Sequence, residues 1–235
     1  HHSTLQVWLD MGKQSLNGKA KGSKSYVILG LDDDKGVPGG RPPRVLSVLS
    51  SVLERKIQRN EKLLKASGRK DVITLFHGTR APALSIRQYI DRIFKYSGCS
   101  PSCFVVAYIY LEKLLEHMDV CLTSLNAHRL IITSVLLAAK YVDDECYNNV
   151  YYAKIGGVSI AEMNRLEMKF LVGVDFRLHV AVEMFDNYCT KLEEEAAGRG
   201  QIERSSRICG LGRSWSSKDG ASCSPTMAGY NCRAL

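Results

Sequence analysis

The sequence predicts an all-α protein, and three observations carry that prediction. Between residues 43 and 192, apolar side chains recur at helical spacing in one segment after another. Helix-starting and helix-ending residues bracket those segments: Ser85 and Gly98, Ser100 followed by Pro101, Ser159 with Glu162 three residues on, and Gly173. No stretch alternates apolar and polar residues between hairpin turns, as a half-buried strand would. At 235 residues, 45% hydrophobic and 24% charged, the chain has the length and composition of one globular domain with tails.

Residues 1–42 read as a flexible N-terminal segment. They are rich in Gly, Lys, Ser and Asp and close on PGGRPP, which is linker chemistry. The short SYVILGL run within them is a local strand or a packing segment. The opening HHSTLQVWLDMGKQ has neither the basic start nor the apolar centre of a secretory signal. No Met begins it, so the start was removed or the sequence is a fragment. Residues 43–66 follow as an N-terminal helix with Val45, Leu49, Val52, Leu53 and Ile57 on one stripe and Pro43 near the first turn. SIRQYIDRIFKYSG, capped by Ser85, turns Ile86, Ile90, Ile93 and Phe94 inward. The next helix starts at Ser100-Pro101 and runs through FVVAYIYLEKLLEHM.

Residues 127–142, AHRLIITSVLLAAKYV, are apolar around nearly the whole circumference. A helix of that kind is stable only when other helices surround it, so it is the hub of the bundle. Each large side chain that it buries fully contributes about 1.5–3 kcal/mol. Ser159 and Glu162 form a capping box directly after Gly156-Gly157 and start SIAEMNRLEMKFLVGV, which Gly173 ends. HVAVEMFDNYCTKLEEE is the last helix. Residues 199–235 have no period of 2 or 3.6 and bury too little apolar area to offset their chain entropy, so they are read as a disordered tail.

The net charge of +8 is unevenly placed. Residues 44–198 hold 20 Lys/Arg and 18 Asp/Glu, so the excess lies mostly in the tails and no specific nucleic-acid face is expected. No uninterrupted apolar run reaches 18 residues, so no membrane span is expected. Of eight cysteines only Cys99 and Cys103, in CSPSC, are close, and no second pair with metal-ligand spacing follows. They read as unpaired thiols of a reducing compartment. IGGVS lacks the Lys-Ser/Thr and the preceding strand of a phosphate loop. His77, His117, His128 and His179 have no partner at metal-binding spacing. Asp143, Asp144 and Glu145 are consecutive and point in different directions, as a solvated run does. No nucleophile stands with a base. The chain is expected to catalyse nothing and to hold no metal or cofactor.

One question is left by VLLAAKYVDDECYNNVYYAKIGGVS, residues 135–159: why a buried helix delivers a lysine and a run of acids to the surface. SIRQYIDRI, VVAYIYLEKLL, LIITSVLLAAKYVDDE and RLEMKFLVGVDFRL resemble, in order, the first, second, third and fifth helices of the cyclin box, over residues 71–192. The string KYVDDECYNNVYYAKIGGVSIAEMNRLE is similar to the P-type (U-type) cyclins of plants, themselves similar to the fungal phosphate-response cyclins. The resemblance implies a single five-helix cyclin box with an additional N-terminal helix and a C-terminal helix. Its short fourth helix would lie around Tyr147, Tyr151 and Tyr152. Residues 199–235 do not form a second box, which fits the short P-type members.

The resemblance also implies a mechanism. In cyclins, a lysine at the end of the third box helix and a glutamate on the fifth reach the mobile C-helix of a cyclin-dependent protein kinase. They push it inward and complete the ion pair that phosphoryl transfer requires. By motif those residues are Lys140 and Glu167, and both are expected to be exposed. Some phosphate-response cyclins offer an acid near this position to an activation-loop arginine; by resemblance that is Asp144, with Asp143 the near alternative. The implied protein is a noncatalytic regulatory subunit acting in the nucleus and cytoplasm, in cell-cycle or phosphate signalling. The alternative is a cyclin-fold adaptor for nucleic acid or the transcription machinery, which only the net charge supports.

Overall fold

The computed structural model describes residues 24–31, 42–68, 70–143 and 147–198. The expectations for residues 1–23, for most of PGGRPP, for Asp144 and for the 199–235 tail lie outside the described residues. Within them the regular structure is helical throughout, in the order α1 (Lys24–Leu29), α2 (Arg44–Ser67), α3 (Ile86–Ser97), α4 (Pro101–Met118), α5 (Ala127–Val142), α6 (Asn149–Gly156), α7 (Ile160–Gly173) and α8 (Val182–Ala196). No helix of the described residues is long and apolar enough to cross a membrane.

Helix α5 is the hub, with α3, α4, α6 and α7 packed around it. Only His128, Arg129, Lys140 and Val142 of its residues escape burial. Its buried Thr and Ser hydroxyls are satisfied within the helix: Thr133 Oγ1 donates to the Arg129 carbonyl (2.7 Å) and Ser134 Oγ to that of Ile131 (2.9 Å). That removes the cost of burying them bare. Helix α6 reaches α5 through Gly156, where a Cβ would stand 2.9 Å from Ile132 Cγ1, and Gly157 then turns the chain at φ 70°. The Gly-Gly pair is a tight turn between helices. Helix α2 buries Val45, Leu49, Leu53 and Ile57 against α3, α4 and α8.

Two local expectations are revised. Ser85 and Gln88 form a full reciprocal capping box, at 3.2 and 3.0 Å. The box expected at Ser159 and Glu162 is only half made: Ser159 Oγ accepts the Glu162 N–H (3.1 Å). The Glu162 carboxylate instead takes Arg129 Nε of α5 at 2.6 Å. A charge-assisted bond is stronger than a return bond to a neutral N–H, so the tertiary partner wins.

The second revision concerns residues 24–31, placed above in a flexible segment. They form α1 and lie on α8, burying Tyr26, Leu29 and Leu31. Ser25 Oγ donates to Glu193 and Tyr26 OH to Asp186, each at 2.6 Å. Three buried side chains and two bonds to carboxylates offset the entropy of ordering so short a piece. SYVILGL is thus the packing segment of its two readings.

Candidate functional site

Lys140 sits on the last turn of α5, where the interior run Leu136-Leu137-Ala138-Ala139 gives way to the surface. A cation there also suits the negative end of the helix. Its Nζ donates to Glu167 Oε1 of α7 at 2.6 Å and to Asn149 Oδ1 of α6 at 2.7 Å. Asn149 Nδ2 donates in turn to Glu167 Oε2 (2.6 Å) and to Asn164 Oδ1 (2.8 Å). The two residues singled out by motif are therefore brought together on one face, by three helices that pack directly on each other. They differ from expectation in one respect. Their side chains are 30% and 17% exposed rather than open to solvent, because each is the other's partner. The two bonds use two of the three ammonium N–H groups of Lys140.

Asn149 and Asn164 were not singled out in the sequence. The neighbouring Asn148 caps α6, accepting the Tyr151 N–H at 3.1 Å. The signal for Asn149 was tertiary: it needs α6 laid across the end of α5.

Asp143 points elsewhere. Its Oδ1 accepts the Ser100 hydroxyl (2.8 Å) and its Oδ2 the Ser100 N–H (3.1 Å), so the end of α5 caps the start of α4. Ser100, expected to cap that helix itself, makes no side-chain bond to its own first turn. Asp143 also approaches the CSPSC pair. The sulfurs of Cys99 and Cys103 and a carboxylate oxygen of Asp143 all lie within 4.8 Å of one another. The Cys103 thiol beside it, with Ser97 and Tyr152, holds Cys99 below the ordinary thiol range, while burial pushes Cys103 well above it.

The three tyrosines divide. Tyr152 is fully buried with its hydroxyl 2.9 Å from Cys99 Sγ. Tyr151 donates to the Tyr96 carbonyl (2.8 Å), and the exposed Tyr147 stacks on it at 4.0 Å.

Comparison with known proteins agrees with this architecture. Residues 44–178 match the cyclin family, a span that runs from the start of α2 past the end of α7. Cyclin-P3-1 of Oryza sativa subsp. japonica is 49% identical over 188 residues, covering 80% of this chain and 80% of its own. Cyclin-U3-1 of Arabidopsis thaliana is 50% identical over 181 residues, covering 77% and 81%. Cyclin-U2-1 of the same plant is 41% identical over 168 residues, covering 70% and 76%. With the five box helices α3–α7 formed around a buried third member, and with this identity across the box, the chain belongs to the cyclin family, among its plant P-type and U-type members.

Proposed function

We propose that this chain binds a cyclin-dependent serine/threonine kinase as its noncatalytic regulatory subunit, in cell-cycle or phosphate signalling, and that Lys140 and Glu167 hold the kinase C-helix in its working position. A regulatory role comes with the cyclin family; the partner and the contact are the reading offered here. The observation that supports it is the half-exposed Lys140–Glu167–Asn149 network at the end of the hub. A cation anchored by the buried helix behind it and oriented by two partners loses little further freedom on binding. Its remaining N–H, and lone pairs left on the Glu167 carboxylate, are free to meet the ends of a partner helix. Exposed Met168 and Val172 on α7 and Val150 on α6 supply apolar surface on the same two helices. Such a subunit shifts the kinase between two states by as much as it prefers the active one.

The acid offered to an activation-loop arginine is Asp144 in this reading, with Asp143, whose carboxylate also accepts from Ser100, the near alternative. The test is capture of purified kinase by the Lys140→Ala/Glu167→Ala double variant, with unfolding measured in parallel. Loss of about 2 kcal/mol, roughly 30-fold in affinity, is expected. Capture equal to wild type refutes the assignment.

A further inference from the structure

We propose that Cys99, Cys103 and Asp143 form a binding site for a thiolate-preferring divalent cation of the zinc class. Cys99 precedes α4, Cys103 lies in its first turn, and Asp143 comes from the C-cap of α5. Convergence of two thiols with a carboxylate from another element goes beyond what a local CSPSC motif produces. Their donor atoms lie within 4.8 Å of one another. A tetrahedral zinc ion with bonds near 2.3 Å to sulfur holds its sulfurs about 3.8 Å apart, so side-chain rotation of the order of 1 Å closes the shell.

The surroundings are those of ligands held in place. Ser100 fixes both oxygens of Asp143 through its N–H and its hydroxyl. The buried Tyr152 hydroxyl lies against Cys99 Sγ, where it can donate to a thiolate. Outer partners of this kind orient ligating side chains in metal sites. Asp143 is only half-buried, which leaves a way in, and the fourth position goes to water or an outside ligand. Binding replaces the two thiol protons with the metal and releases them to solvent, so affinity falls as pH falls. The ion would fasten the end of α5, three residues beyond Lys140, to the start of α4. The site stands independently of the kinase reading.

The test is titration of the reduced, metal-free full-length chain with Co2+, followed by displacement with Zn2+. One Co2+ per chain with a tetrahedral spectrum and thiolate-to-cobalt charge transfer is expected. The spectrum should persist when Cys146, Cys209, Cys223 and Cys232 are all replaced by Ser. It should vanish in Cys99→Ser and weaken in the near-isosteric Asp143→Asn, with helix content checked by circular dichroism. Ser100→Ala, which removes an outer partner only, should raise the Co2+ dissociation constant about tenfold. Absence of the spectrum from the reduced chain overturns the proposal. So does a spectrum that Cys99→Ser and Asp143→Asn both leave intact, or one lost when Cys146, Cys209, Cys223 and Cys232 are replaced.

Discussion

The hub helix carries a polar network at each of its ends, and the two are built differently. At the N-terminal end, Asn126 is 0% exposed; its Oδ1 accepts the Thr123 N–H (2.9 Å), its Nδ2 donates to the Cys121 carbonyl (2.8 Å) and lies 3.1 Å from His77 Nε2. His77 Nδ1 accepts the Thr74 N–H, and its Nε2 faces Asp71, which also accepts from Thr123 Oγ1. The groups are turned on one another, and the His77 side chain is 2% exposed and that of Asp71 17%. At the C-terminal end, the Lys140–Glu167–Asn149 network is half-open, with an ammonium N–H left over. Polarity at a helix end is thus no signal of recognition in itself. A network closed on the interior holds the loop to the hub, whereas one with exposed, unspent bonding capacity is available to a partner.

The sharpest way to break this comparison is at the sealed end. Asn126→Ala removes the side chain that accepts the buried Thr123 N–H and donates to the Cys121 carbonyl. Destabilisation by about 3 kcal/mol is expected in urea unfolding, with kinase capture per folded molecule unchanged. A change below about 1 kcal/mol would mean that water replaces the side chain and that the end is not sealed.

At the open end the signs should reverse. Lys140→Ala is expected to cost about 2 kcal/mol of kinase binding. The cost to folding should stay under about 1 kcal/mol, because a half-exposed ion pair contributes little. Equal losses in both measurements would make Lys140 a structural residue like Asn126.

This division shows what the sequence could and could not disclose. The hub was legible because burial on all sides leaves a continuous apolar run, and Lys140 was legible because it interrupts that run at its end. The stripes of α2 and α3 followed from helical spacing alone. Asn149, Asp143 and Arg129 were not legible, since each acts on a residue 18, 43 or 33 positions away. Spacing rules describe one helix, and these contacts exist only once two helices meet. Helix α1 escaped for a related reason: Tyr26, Leu29 and Leu31 are too few to show a period, and what holds them is the surface of α8.

A matched control sharpens the comparison further. Arg129–Glu162 also joins α5 to α7 with a 2.6 Å bond, and its side chains are 27% and 25% exposed, close to the values for Lys140–Glu167. It differs in lying at the first turn of each helix. Glu162→Ala should reduce stability by about 0.5 kcal/mol and leave kinase capture unchanged. If capture fell as it does for Lys140→Ala, any ion pair between these helices would serve, and the position of Lys140 would lose its meaning.

The smallest effect belongs to His128, a half-buried residue of the N-terminal turn that the sealed network does not include. The Leu84 carbonyl can only accept, so at 2.8 Å it takes the hydrogen of Nε2 and leaves Nδ1 bare. That nitrogen is buried without a hydrogen-bond partner, and the ring packs 4.7 Å from that of Tyr89. Protonation would put a hydrogen where nothing accepts it, and burial accordingly lowers the pKa, partly offset by the bond to Leu84. In the unfolded chain His128 titrates near 6.5, so below about that pH the unfolded state takes up more protons than the folded one. Its share of stability is complete above about pH 6.5 and is lost as pH falls. His128→Gln keeps an amide donor for Leu84 and cannot titrate. The stability of wild type relative to this variant, from urea unfolding, should therefore decrease between about pH 7.5 and about pH 5.5, since groups common to both chains cancel. A difference that stayed constant across that range would show that the open side of the turn admits the imidazolium as readily as the neutral ring.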